Sequence, residues 1–163
     1  MMPEAITNTS PLLYLHRIGV LDWLPHLLSD ISVPDAVVQE LQQGQLKGYD
    51  VPNLNNYSWL HVVKPLMIPS EWLALDLGAG ELAAMALGLE NPHKIILLDD
   101  ALARRIAQAA GLTVWGTLKI LLEAKSQGLT DSIKPLVKQL QQSGLWISEE
   151  IYQRILALAD EKP

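Results

Sequence analysis

The chain contains no cysteine, which removes disulfides, zinc–thiolate sites and cysteine nucleophiles from consideration. It also lacks any apolar run near the roughly 18 to 20 residues that a membrane-crossing helix needs. Its start, MMPEAITNTSPLL, has neither the basic region nor the long apolar core of a secretion signal. A cytoplasmic protein with no membrane attachment is the expectation. Positive charge is scarce as well: 12 Lys and Arg stand against 18 Asp and Glu, a formal net charge of -6. That balance excludes a general basic field of the kind that coats nucleic acid, while leaving room for a local basic patch. The acid excess suits a cluster of carboxylates whose mutual repulsion a divalent cation would relieve.

Hydrophobic residues are 49% of the 163 positions, enough for one well-buried core, so a single domain over residues 1–163 is expected. Short aliphatic strands are expected at Ala5–Thr7, Ile31–Val33, Trp59–Val63, Ile95–Leu98 and Thr113–Trp115. Helical patterns lie between them. Ser10 and Pro11 open one, in which Leu12, Leu15, Ile18 and Leu21 recur at helical spacing. Pro34 opens a second, carrying Val37, Val38 and Leu41 until Gly44 stops it. Glu81–Leu89 is the third, and Ala101–Ala110, ended by Gly111, the fourth. Residues Gly44 to Asn56 read as a surface loop, and beyond Gly116 the chain is helical over Thr117–Gln127, Asp131–Ser143 and Ser148–Asp160. Alternating strand and helix predicts an α/β sandwich on a largely parallel sheet, with functional groups at the carboxyl ends of the strands.

The stretch GAGELAAMALGLENPHKIILLDD, from Gly78 to Asp100, admits two incompatible readings. Gly78, Gly80 and Ala83 fit G-x-G-x-x-G/A, and Asp99 lies 19 residues after Gly80, where a dinucleotide-binding domain places its ribose-binding acid. The preceding WLALDL alternates well enough for the strand this reading requires. Glu81 opposes it, because a carboxylate at the helix N-terminus repels the pyrophosphate that should sit there. The other reading gathers Glu40, Glu81, Asp99 and Asp100, with Asn8 after the first strand, into an oxygen-rich, thiol-free site of the kind Mg²⁺ or Mn²⁺ prefers. Each residue also has a plainer role. Glu81 stabilises a helix dipole by about 0.3–1 kcal/mol, Asp99 or Asp100 caps the next helix, Glu40 is a solvated charge, and Asn8 belongs to a turn or cap.

The ordered blocks ITNTSPLLYLHRIGVLDWL, ISVPDAVVQEL, LGAGELAAMALGLE and ILLDDALARRIAQAAGLTVWGTLKILLEAKSQGL resemble the PIN-domain superfamily. The resemblance is to a branch related to VapC-type toxin nucleases, and it extends through the ending IKPLVKQLQQSGLWISEEIYQRIL. It implies a three-layer α/β/α sandwich with a mainly parallel central sheet and a helical C-terminal region. It further implies RNA cleavage with Mg²⁺ or Mn²⁺ held by Glu40, Glu81, Asp99 and, next to it, Asp100. Asn8 stands where the superfamily usually has Asp. An amide oxygen can coordinate a cation but adds no charge, so a weakened, RNA- or partner-binding relative of a nuclease is the competing function.

Around those acids, Thr9, Ser10, Arg104 and Thr117 are the candidates for contacting substrate. Arg104 or Arg105 offers bidentate geometry to a phosphate, with pairing to the acids an equal alternative; for Thr9, Ser10 and Thr117 helix capping is the simpler role. His16, His26, His61 and His93 lack close ligand spacing and read as surface or core-edge residues. Trp23, Trp59, Trp72, Trp115 and Trp146 are scattered and read as core or interface packing residues rather than as a base-stacking platform. RNA is the expected substrate, an antitoxin protein and a second copy of the chain the expected partners. For the dimer, Trp23, Leu24 and Leu27 are the candidate surface, with core burial the simpler role.

Overall fold

The computed structural model describes residues 2–163. Five strands, β1 (Glu4–Thr7), β2 (Asp30–Pro34), β3 (Leu60–Val63), β4 (Ile95–Leu97) and β5 (Val114–Trp115), form one sheet in the order β3-β2-β1-β4-β5. Every pairing is parallel. Parallel strands must be connected by crossovers, which cover both faces of the sheet with helices and leave the central strands almost wholly apolar. β1 and β4 show this directly: Ala5, Ile95 and Leu97 enter one core cluster, Ile6, Ile96 and Leu98 the other.

The first cluster packs α1 (Thr9–Arg17), α2 (Leu24–Leu27), α3 (Asp35–Leu46), α6 (Thr117–Ser126), α7 (Lys134–Gln142) and α8 (Glu149–Leu158). The second packs α4 (Ala79–Glu90) and α5 (Ala101–Ala109) on the opposite face. The fold is therefore the α/β/α sandwich expected from the sequence.

Several boundaries differ for identifiable reasons. The first helix ends at Arg17, because Gly19 takes a left-handed φ of +76°, and Leu21 falls in a separate 3-10 turn, Leu21–Trp23. Gly44 does not stop α3, which continues to Leu46; the left-handed residue that follows its end is Gly48, at φ +83°. Gly44 instead admits a close neighbour, since a Cβ there would lie 3.2 Å from Val51 Cγ1. The expected loop from Gly44 thus begins after α3 and contains a further 3-10 turn, Leu54–Asn56. WLALDL is no strand: Ser70–Ala74 form a 3-10 helix, and Trp72 is buried against the second core cluster. Leu24 and Leu27 are buried in the first core, and Trp23 packs on it, so they offer no dimer surface.

The helix expected from Asp131 starts only at Lys134, because its first turn is capped from the far end of the chain. Glu161 Oε2 accepts from Ile133 N at 2.8 Å and Lys125 Nζ at 3.0 Å; Oε1 accepts from Ser132 Oγ at 2.6 Å and Lys134 N at 3.0 Å. Burial pushes this carboxyl up, but those donors outweigh it and hold the pKa at about 2, against an ordinary 4.5. A depressed acid contributes stability above its unfolded pKa and loses it as pH falls through the folded value. Glu161→Gln is expected to lower stability by about 2 kcal/mol at neutral pH, the usual size of a charged hydrogen bond. Urea unfolding of both proteins should show the gap closing between about pH 4.5 and pH 2.

Candidate functional site

The strand order reverses between β1 and β4: the crossovers after β1 lead to β2 and β3, those after β4 to β5 on the other side. The connections leaving two such neighbours diverge, and a crevice opens at their carboxyl ends. Asn8 stands directly after β1, its N–H donating to Leu97 O of β4 at 3.0 Å. Asp99 and Asp100 follow the end of β4, α3 carries Glu40 to the same edge, and the start of α4 brings Gly80 and Glu81. All five candidate ligands, Asn8, Glu40, Glu81, Asp99 and Asp100, line one cleft of about 900 Å³.

Each carboxylate has its own donors. Glu40 Oε2 accepts from Thr9 Oγ1 at 2.5 Å and Oε1 from Gly80 N at 2.8 Å. Asp99 Oδ1 accepts from Thr117 N and Oδ2 from Thr117 Oγ1, both at 2.7 Å, and Oδ2 also from Ser10 Oγ. Glu81 Oε1 accepts from Gly78 N at 2.9 Å, which closes the first turn of α4. Asp100 is the N-cap of α5, accepting from Ala103 N at 2.9 Å. A carboxylate has roughly four acceptor positions, so Glu40, Glu81 and Asp100 retain free lone pairs and Asp99 retains the fewest.

Glu81 carries the electrostatic cost of this crowding. Its pKa is raised, first by burial and then by the charges of Asp100, Glu40 and Asp76, against the lowering effect of the Gly78 N–H. Asn8 adds a second anomaly. It is 4% exposed, and its Oδ1 is buried with no hydrogen-bond partner. A Cβ placed on Gly80 would lie 3.1 Å from this oxygen and 2.9 Å from each oxygen of Glu40. The absence of a side chain at Gly80 therefore lets three acceptor oxygens share one small region with no donor assigned to Asn8.

The donor set fits a hard divalent cation: carboxylates, an amide oxygen and no sulfur. Among the described residues, no three His, Asp or Glu side chains already converge on one ion position. Mg²⁺ does not require such closure, because it retains several waters and is held through one or two carboxylates.

The remaining expectations resolve differently. Thr9, Ser10 and Thr117 neither cap their helices through their side chains nor stand free for substrate; their hydroxyls are spent on Glu40 and Asp99. Gly116 is the N-cap of α6. Arg104 Nη1 comes within 3.3 Å of the position a Gly116 Cβ would take, beside Asp99 Oδ1 at 3.2 Å. Arg105 is exposed and does not line the cleft. No histidine lines it either: His16, His61 and His93 pair with Asp50, Asp30 and Glu4 elsewhere, and His26 is exposed. The dinucleotide reading fails because a 3-10 helix, Ser70–Ala74, rather than a strand leads into Gly78, and Glu81 closes the helix turn where a phosphate would bind. Asp76, whose charge reaches Glu81, and the cleft residues Lys119 and Arg154 escaped the sequence reading, and Trp146, read there as a packing residue, is instead 84% exposed on the cleft. Only their spatial convergence identifies them.

A family model described as a PIN domain matches residues 4–161. Neither the comparison with curated proteins nor that with solved structures found a match. Among the described residues, no helix is long and apolar enough to cross a membrane. The five-stranded parallel sheet and the match over almost the full chain lead to one conclusion: this chain belongs to the PIN-domain family, a family of nuclease type.

Proposed function

We propose that the chain is a divalent-metal-dependent endoribonuclease whose site is the acid-lined crevice between β1 and β4. The observation that carries this reading is the convergence of Asn8, Glu40, Glu81, Asp99 and Asp100 on one cleft, with a buried acceptor oxygen beside the Glu40 carboxylate. Gathering these acids in one cleft costs desolvation and like-charge repulsion, which their hydrogen bonds offset only in part. A toxin of a toxin–antitoxin pair, related to VapC-type nucleases and acting in the cytoplasm with an antitoxin or a second copy as partner, is the specific form we favour.

Glu40, Glu81, Asp99 and Asn8 would hold Mg²⁺ or Mn²⁺, directly or through water, with Asp100 orienting the shell. When bound, the cation supplies charge neutralisation at the phosphate and makes water a better nucleophile near neutral pH. The protein's own part is orientation. Thr9 and Gly80 N fix Glu40, and Ser10 and Thr117 fix Asp99, so neither carboxylate has to reorganise as substrate arrives. Glu81 has one oxygen tied to Gly78 N and keeps Oε2 for a cation or a water hydrogen. Arg104 stands beside the Asp99 carboxylate at the cleft wall, placed to contact a phosphate.

The alternative, a PIN-like binding protein with weakened catalysis, draws on Asn8, which brings an amide where a charge would hold a cation better. Cleavage of RNA by the purified protein with and without Mn²⁺ separates the two: metal-dependent cleavage supports the nuclease, binding without cleavage the alternative.

Glu81→Gln is the cleaner test of the site, because the amide oxygen can still accept from Gly78 N while the charge is lost. It should keep the fold and reduce Mn²⁺ affinity and cleavage by about 10²-fold or more, as loss of a metal-supporting group does. Titration calorimetry and RNA cleavage by the same preparation check this. Asp99→Asn should show a similar loss of activity together with about 1.5–3 kcal/mol of destabilisation, since its new NH₂ meets the Thr117 and Ser10 donors.

Asn8→Asp places a fourth potential ligand charge beside Glu40. Without metal it should destabilise the fold by about 1–3 kcal/mol, the range for an uncompensated buried polar group. With Mn²⁺ the thermal shift should exceed that of the unmodified protein. Unchanged apo stability together with an unchanged Mn²⁺ response would place Asn8 outside the site.

A further inference from the structure

We infer that Trp146 and Arg154 form a second, base-stacking half of the cleft, which binds an unpaired nucleotide of single-stranded RNA next to the acids. This rests on the nuclease reading of the same cleft and specifies how substrate is held. Trp146 lies in the turn between α7 and α8 and is 84% exposed. The other tryptophans are buried or half-buried, so folding gives this indole no partner that it gives theirs. It lines the cleft with Ile151 and Leu158 of α8, themselves 40% and 65% exposed.

Arg104, Lys119 and Arg154 line the same cleft. Among the described residues, neither Arg104 nor Arg154 makes an ion pair, and Lys119 is engaged by Glu123 at 2.9 Å. Two guanidiniums without an ion pair, in a cleft that also exposes an indole, provide what sequence-tolerant binding of single strands requires: a flat π-face for the base and fixed charge for the phosphate. Ile151 and Leu158 add apolar surface for ribose and base faces. A duplex presents neither an unstacked base nor a free face, so the occupant is single-stranded RNA.

The test is binding and cleavage of a short single-stranded oligoribonucleotide by the unmodified protein and by Trp146→Ala, Trp146→Phe, Arg154→Ala and Glu81→Gln. Stacking of one base corresponds to about a 5- to 150-fold change in Kd. Trp146→Ala should show that loss, falling on KM rather than kcat, and Trp146→Phe should recover most of it. Replacing the stacked base with an abasic sugar should weaken binding to the unmodified protein but not to Trp146→Ala. Arg154→Ala should reduce the slope of log affinity against log salt by about 1.

If the unmodified protein cleaves RNA, yet Trp146→Ala binds it equally well with an unchanged response to the abasic sugar, this inference is wrong and the nuclease reading stands. Cleavage unaffected by Glu81→Gln sinks that reading instead. Should Trp146→Ala alter only the association of the protein with itself, measured by light scattering, the face belongs to a second copy and the inference is overturned.

Discussion

The constraint on which the site depends is the need to keep several carboxylates close together in a partly buried crevice. Asp99 shows how the fold meets it. Its carboxylate receives the N–H and hydroxyl of Thr117 at the start of α6 and the hydroxyl of Ser10 in α1, so one acid joins the end of β4 to two helices. Glu40 does the same for α1 and α4 through Thr9 and Gly80. Hydrogen bonds to charged groups contribute about 1.5–3 kcal/mol each, enough for these contacts to offset much of the repulsion they accompany. The donors that stabilise the acids are thereby the contacts that orient them, and stability and preorganisation have the same source.

Much of this was legible in the sequence, where local signals and tertiary demands agree. The aliphatic runs around Ile31 and Ile95 became central strands because a parallel sheet buries both faces, and Asp100 became a helix cap as adjacent acids before a helix suggest. The failures have a common cause. Gly44 resembled a stop signal, yet helix termination follows the residue that adopts positive φ, and that is Gly48. WLALDL alternated like a strand, yet Trp72 was claimed by the second core and the backbone tightened into a 3-10 turn around it. Thr9, Ser10 and Thr117 are suited to capping by type, but their partners Glu40 and Asp99 are distant in sequence and no local pattern announces them.

The candidate site was partly readable for the same reason. Glu81, Asp99 and Asp100 could be named because strand ends and helix starts in a parallel sheet lead to one edge, whereas Glu40, in the body of α3, was singled out by the family resemblance. Gly80 could not, since its importance is spatial: the missing Cβ is what lets Glu40 and Asn8 approach α4 so closely. Asn8 is a compromise in this setting. A carboxylate in its place would strengthen attraction for a cation but add a charge to a group in which burial, and then neighbouring charges, already raise the pKa of Glu81. An amide keeps a coordinating oxygen and omits the charge, so the free protein is less strained and, on the proposed reading, its hold on a cation is weaker.

The overall charge bears on how the proposed substrate could be held. A chain of net charge -6 repels RNA at long range, and on the proposed reading the acids at the sheet edge intensify that repulsion where the phosphate comes closest. At physiological salt such fields are screened over about 8 Å, so binding has to draw on contacts shorter than that. Stacking and apolar contact act at such range and are indifferent to net charge. On the proposed reading, the indole of Trp146 and the apolar wall around it supply the attraction that the charge balance withholds, while Arg104 and Arg154 give it polarity. The scarcity of basic residues is then compatible with RNA as substrate: it shifts the affinity from the field of the protein to one wall of its cleft.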